Sequence, residues 1–223
     1  MLRPIIYALT VATLTGSTAW AGAWPREEGT YFLSLGGNVL LFGDAARPVH
    51  YDPTIYLEYG LTERLTLGLD GYTADKGEAG SLLAFARYTF GRTDRPSRIA
   101  LSLGAGGTLV PTGGIDPTLR IGAHWGRGMD WGWIAADYSL TLGTELVELQ
   151  EKVDLTLGYR VDETWTAILN AEAGLGLTQD FYAKVTPSVA YRLNERVSLR
   201  FGYTQALTGD FGGGVGFQTW IAF

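Results

Sequence analysis

Charged side chains that interrupt apolar stretches are the first candidates for chemistry in this chain. Four arginines stand at alternating positions close to short polar turns: Arg87, Arg160, Arg192 and Arg200. Four acids occupy alternating positions farther from those turns: Asp70, Asp137, Asp154 and Glu172. Every second side chain of a strand lies on the same face of its sheet. If the strands enclose a lumen, the pattern predicts an acidic outer vestibule and a basic inner constriction, which together would filter solutes by charge.

The same charges have a second interpretation. A buried charge without a partner is very costly, so these side chains could instead pair across strands and fill a narrow interior. The width of the barrel decides between the two. A barrel of about twelve strands lies between eight-stranded barrels filled by side chains and open porins of about sixteen strands. The sequence leaves both interpretations open.

Patterns of catalytic or metal-binding residues are missing from the sequence. The chain has no Cys and two histidines, His50 and His124. His50 lies with Asp52 in a long connection, and His124 has no Ser nearby in sequence. Nucleophilic catalysis needs a base within hydrogen-bond reach of the nucleophile, and no His pair has the spacing of zinc ligands. We therefore predict a protein that is not an enzyme and that holds no cofactor or metal.

An alternation of apolar and polar residues predicts the strands that carry these charges. In 153–161, the apolar residues alternate regularly with Asp154, Thr156, Gly158 and Arg160. Similar stretches predict about twelve strands, each near the ~10 residues that cross an outer membrane. Short turns such as 193–196 alternate with looser connections such as 43–50, which is typical of an even strand number.

The fold class that follows is all-β: a transmembrane antiparallel up-and-down β-barrel over residues 22–223. Its apolar face would contact lipid and its polar face would line the lumen. Ten strands are the alternative, because Gly36, Gly37 and Asn38 interrupt the first strand. Aromatic residues at the ends of strands near the short turns predict a belt at the membrane interface.

Residues 1–21 have the pattern of a cleaved export signal. Arg3 supplies the positive start, 5–14 is a short apolar run, and Ala19 and Ala21 fit an A-x-A cleavage site before Gly22. The run is shorter than the ~20 apolar residues of a membrane helix. The formal net charge of the whole chain is −6 and becomes more negative without Arg3. An acidic protein of this kind is a poor nucleic-acid binder.

The last strand ends on an aromatic residue, with Phe217, Ile221 and Phe223 on one face and Gln218 and Trp220 on the other. This pattern resembles the closing strand of bacterial outer-membrane β-barrels. The resemblance implies that Phe217, Ile221 and Phe223 form the insertion signal read by the barrel-assembly machinery. It also implies a location in the bacterial outer membrane, among its lipid and lipopolysaccharide.

The stretch Y-G-L-T-E-R-L-T-L-G, from Tyr59 to Gly68, is echoed at 159–164 and 191–196. It looks like the turns of small porin-like barrels and of phenol-degradation-associated transporters. This resemblance implies a passive channel or transporter for small solutes, without identifying the solute. A plugged structural barrel that acts through its outer loops and a lipid-modifying enzyme are the alternatives.

Overall fold

Twelve antiparallel strands form a closed barrel in the computed structural model of this chain. The strands are β1 (Tyr31–Phe42), β2 (Tyr51–Gly60), β3 (Leu65–Ala74), β4 (Ala79–Phe90), β5 (Ser97–Leu109), β6 (Ile115–Met129), β7 (Gly132–Gly143), β8 (Gln150–Arg160), β9 (Trp165–Leu175), β10 (Phe181–Arg192), β11 (Val197–Thr208) and β12 (Gly213–Ala222). Each strand pairs with its neighbours in sequence, and β1 also pairs with β12.

The structure describes residues 22–42, 51–74, 77, 79–91, 95–109, 113–144, 149–175, 180–208 and 212–223. The predicted export signal and His50 lie outside these ranges. Within them, no helix is long and apolar enough to cross a membrane.

The predicted strand number is confirmed, and the alternative of ten strands is wrong. The β1–β2 hairpin belongs to the wall, because β1 pairs along its length with β2 on one side and with β12 on the other. Gly36 stays in register between Thr54 and Gln218. The interruption that suggested an irregular arm is therefore accommodated inside a regular strand.

The two ends of the barrel differ in their connections. One end, the turn end, carries the start of β1, the end of β12 and the connections 61–64, 91–96, 130–131, 161–164 and 193–196. The opposite end is the loop end. Several strands extend farther than alternation predicted: β6 covers Ile115–Met129, where we expected 118–125. The backbone hydrogen bonds between strands continue beyond the lipid-facing stretch, where one face of each strand must be apolar. A count of alternating residues therefore underestimates the length of the strands.

The outer wall of the barrel is apolar. Large side chains such as Leu103 and Leu155 are more than half exposed, as expected for side chains that contact lipid. Aromatic pairs lie along the outer face at the turn end, with ring centroids 5.4 Å apart for Tyr31 and Phe223 and 4.7 Å apart for Trp165 and Tyr191. Their position fits the predicted interfacial belt.

The last strand closes the barrel with the faces that the sequence predicted. Phe217 and Phe223 point outward, and Trp220 lies in the lumen. The backbone N–H of Tyr31 donates to the carbonyl of Phe223 at 2.6 Å, and the N–H of Phe223 donates back to Tyr31 at 3.1 Å. The role of Phe217, Ile221 and Phe223 in insertion stays a prediction.

Candidate functional site in the barrel lumen

A cavity of about 340 Å³ lies inside the barrel. Inward side chains from many of the strands line it, because alternation sends every second residue into the lumen. Its wall combines charged groups, such as Asp70, Arg120 and Arg200, with aromatic rings, such as Tyr56 and Trp220. The cavity is therefore largely apolar in surface, with charged groups set among aromatic and aliphatic side chains.

Residues 22–30, which we call the N-terminal segment, occupy the lumen at the turn end. The side-chain hydroxyl of Thr89 donates to the carbonyl of Ala23 at 3.1 Å, and Ala23 is fully buried. Arg87 Nη2 donates to the carbonyl of Trp24 at 3.1 Å. The backbone N–H of Arg26 donates to Thr66 Oγ1 at 3.1 Å. Each bond joins the segment to the inner face of β3 or β4, so the segment narrows this end of the barrel.

Two glycines of the wall make room for the N-terminal segment. A Cβ at Gly126 of β6 would overlap the indole ring of Trp24, and a Cβ at Gly60 of β2 would overlap the carbonyl of Glu27. The N–H of Gly29 also donates to the carbonyl of Gly60 at 2.8 Å. The segment thus crosses the lumen from β2 toward β6.

A buried cluster of charges anchors the same segment. Glu58 has no exposed surface, and its carboxylate lies 2.6 Å from Arg87 Nη2. Arg26 Nε also donates to Glu58, and the hydroxyl of Tyr56 donates to it at 2.5 Å. A carboxylate can be buried at acceptable cost only with such partners. Arg87 therefore braces the turn end and ties the N-terminal segment to the wall.

A continuous row of ionisable residues crosses five neighbouring strands, β6 to β10. We call it the charge row, and directly opposed positions of the sheet bring its members together: His124, Asp137, Asp154, Glu172 and Lys184. Lys184 Nζ lies 2.8 Å from Glu172. Lys152 Nζ lies 3.0 Å from Asp154. Two of the four predicted vestibule acids therefore pair with lysines.

Asp70, another predicted vestibule acid, pairs across two intervening strands. Its carboxylate lies 2.5 Å from Arg120 Nη1, although Asp70 belongs to β3 and Arg120 to β6. Gly104 of β5 stands opposite Arg120 and contributes no side chain between them. The bridge places an ion pair on the cavity wall, with both side chains partly exposed.

Arg200 lies in the cavity without a carboxylate partner among the described residues. Neutral groups hold its guanidinium: Arg200 Nε donates to Ser188 Oγ at 2.9 Å, and Nη2 donates to Asn170 Oδ1 at 2.5 Å. Nη1 donates to Gln218 Oε1 at 3.3 Å, and the guanidinium carbon lies 5.6 Å from the centre of the Trp220 ring. Its positive charge therefore remains uncompensated by a neighbouring acid.

The structure does not bring the four predicted constriction arginines together in one ring. Arg87 and Arg200 line the cavity. Arg160 lies near the turn end, where its Nη2 donates to the carbonyl of Met129 at 3.3 Å, and Arg192 is exposed at the end of β10. Alternation fixes the face of each arginine but not its depth, because the strands of a barrel are tilted and staggered.

Sequence reasoning missed a hydrogen-bonded Ser–His–Asp array. Ser102 Oγ lies 2.9 Å from His124 Nε2, and His124 Nδ1 lies 2.7 Å from Asp137 Oδ1. The register of the β5–β6 hairpin places Ser102 opposite Gly122, and a Cβ at Gly122 would lie 2.8 Å from His124 Nε2. His124 has no Ser nearby in sequence, yet the fold brings Ser102, 22 positions away, within hydrogen-bond reach of it. Counting residues from the β5–β6 turn along both strands gives their register, and that register could have revealed the contact.

The array has the order of a hydrolytic triad and lines the cavity, but the backbone donors beside it are engaged in the sheet. Acyl transfer needs preorganised donors that face the developing oxyanion. β6 is paired with β5 on one side and with β7 on the other, so their N–H groups lie in the sheet and do not point into the lumen. Arg120, on the same face of β6 as His124, is held by Asp70. The backbone N–H groups nearest Ser102 are therefore not turned toward the cavity.

Solved structures of outer-membrane barrels are similar to this chain. An outer membrane channel from Pseudomonas putida F1 is 9% identical, with a TM-score of 0.62 over 90% of this chain and 98% of that one. The porin KdgM, solved with disordered oligogalacturonate, is 8% identical, with a TM-score of 0.61 over 85% of this chain and 98% of its own. The toluene transporter TbuX of Ralstonia pickettii is 12% identical, with a TM-score of 0.52 over 88% of this chain and 90% of its own.

No protein-family profile matches the sequence, and no curated protein matches it. What the chain shares with these channels is therefore the arrangement of its strands. It has the fold of the bacterial outer-membrane β-barrels, a closed antiparallel up-and-down barrel of twelve strands, as its last strand and its turns implied.

Proposed function

We propose that this protein is a passive channel or transporter for small solutes in the outer membrane of a Gram-negative bacterium. The observation that carries the proposal is the cavity of about 340 Å³ inside the barrel, which is narrowed at the turn end by residues 22–30. The structural likeness to channels and transporters supports the same function.

The size and wall of the cavity favour small solutes. Its volume lies near the lower end of the roughly 300–1,000 Å³ typical of sites for small ligands. Most lumen charges are already paired, so they give the pathway little net preference for cations or anions. Arg200 differs, because only neutral groups hold it. Together with the ring of Trp220, it would favour a solute with an acceptor or a negative group attached to an apolar body.

Single-channel conductance in a planar bilayer under a salt gradient tests the proposal. The refolded chain from Gly22 onward should show small, steady currents, since the N-terminal segment leaves a narrow path. A chain without residues 22–28 should conduct more, because β1 and the wall remain while the segment is removed. If both barrels fold but neither conducts, the channel is excluded and the plugged structural barrel takes its place.

A further inference from the structure

We propose that Asp137 binds the α-ammonium group of Gly22 after export processing, so that cleavage of the signal locks the N-terminal segment inside the lumen. The ligand of this site is the chain's own new terminus. The proposal depends on the predicted cleavage after Ala21 and not on transport. It gives the Ser102–His124–Asp137 array a role in binding.

The geometry brings Gly22 to the carboxylate of Asp137. A Cβ built on Gly22 would lie 2.5 Å from Asp137 Oδ1 and 2.9 Å from Oδ2. With standard bond lengths, the α-nitrogen of Gly22 lies within about 5 Å of this carboxylate. Gly22 also has a φ of +83°, a backbone conformation that glycine adopts at little cost. A small rotation of a free terminus would complete an ion pair.

Asp137 needs a cation that the described side chains do not permanently provide. Among the described side chains, Asp137 has one hydrogen-bond partner, His124, which contacts Asp137 Oδ1. A histidine carries a charge only when it is protonated. Asp154 stands directly opposite Asp137 on β8, and like charges at opposed positions repel each other. Asp154 has Lys152 at 3.0 Å, whereas Asp137 Oδ2 has no partner among the described residues. An α-ammonium at Gly22 would supply the missing charge.

The predicted cleavage site directly precedes a residue that lies inside the barrel. The A-x-A motif ends at Ala21, and Gly22 lines the cavity. Ala23 and Trp24, which follow it, are fixed by Thr89 and Arg87. A processed chain would therefore end beside Asp137, with its new charge already in position.

The first test determines the N-terminus of the protein isolated from outer membranes by mass spectrometry. The expected first residue is Gly22. A different first residue would overturn the proposal directly, whatever the barrel conducts.

The second test measures whether the segment is locked, using trypsin, which cleaves after arginine. Arg26 is mostly buried, so cleavage after it reports release of the segment from the lumen. In the folded protein, we expect Asp137→Asn to raise this cleavage rate about tenfold, as for the loss of an ion pair partly shielded from water. Asp154→Asn is the matched control, since it removes the neighbouring acid of the same row and should leave the rate almost unchanged.

A further variant leaves every residue of the wall in place. Two alanines added before Gly22 would move the α-ammonium away from Asp137, and they should raise the cleavage rate as Asp137→Asn does. Asp137→Glu retains the charge and should retain most of the protection from trypsin. It also keeps the proposal testable if Asp137→Asn does not fold. Equal cleavage of the wild-type and the extended chain would overturn the proposal, and so would equal effects of Asp137→Asn and Asp154→Asn.

Discussion

The indole ring of Trp24 lies directly against Gly126, on the inner face of β6. The contact joins the N-terminal segment to β6, four strands away from its anchor at Glu58 on β2. A single added methyl group at Gly126 would overlap the ring. The N-terminal segment can therefore occupy this position only because residue 126 is a glycine.

We therefore expect Gly126→Ala to displace Trp24 and to increase channel conductance. Trp24→Ala should have a similar effect, since it removes the other partner of the same contact. Two changes that act through one contact are not additive. The double variant should accordingly conduct about as well as either single variant, measured in planar bilayers. A double variant whose increase equals the sum of the two would show that Gly126 acts independently of Trp24.

Glu58 offers the strongest expected effect on stability. Glu58→Gln leaves Arg87 and Arg26 with a neutral partner in a site that has no exposed surface at Glu58. Removing one member of a buried ion pair typically costs about 3–5 kcal/mol. We expect a loss of this size in the free energy of unfolding, measured by reversible denaturation in lipid vesicles.

Asp70→Asn is the control for Glu58→Gln. Asp70 and Arg120 also pair, but their side chains are 35% and 27% exposed. Exposed pairs contribute about 0–1 kcal/mol, so the control should lose much less stability. Similar losses in both variants would show that burial does not decide the strength of these pairs.

Much of the wall could be predicted because alternation is a local signal. Asp154 and Arg160 point inward for the same reason that Phe217 and Phe223 point outward: the period of a strand is two residues. The number of strands followed from counting such stretches.

The interior could not be predicted from the same signal. Residues 22–30 carry no alternation, and their bonds reach far along the chain: Ala23 and Thr89 are separated by 66 positions. The depth of Arg160 and Arg192 depends on the stagger between strands, and a shift in register changes every contact that follows. The pairing of Ser102 with His124 depends on register in the same way.

The uncompensated charge of Arg200 predicts a change in ion selectivity. Arg200→Gln should lower the permeability of anions relative to cations by about twofold, because a fixed cation in a narrow pore favours anions. Arg192→Gln removes the same charge at an exposed position and should leave the ratio unchanged. Reversal potentials under a salt gradient measure both. An equal change in the two variants would assign selectivity to the overall charge of the barrel and not to the cavity.

The Ser102–His124–Asp137 array leads to a last prediction, which separates a structural role from catalysis. Ser102→Ala removes one hydrogen bond and should cost about 1 kcal/mol of stability. Hydrolysis of a p-nitrophenyl ester by the refolded barrel should be no faster than in buffer, and it should be the same for Ser102→Ala. The reason is that the backbone N–H groups around Ser102 are engaged in the sheet and do not face a tetrahedral oxyanion formed there. Ester hydrolysis that disappears with both Ser102→Ala and His124→Gln would overturn this expectation and make the barrel an enzyme.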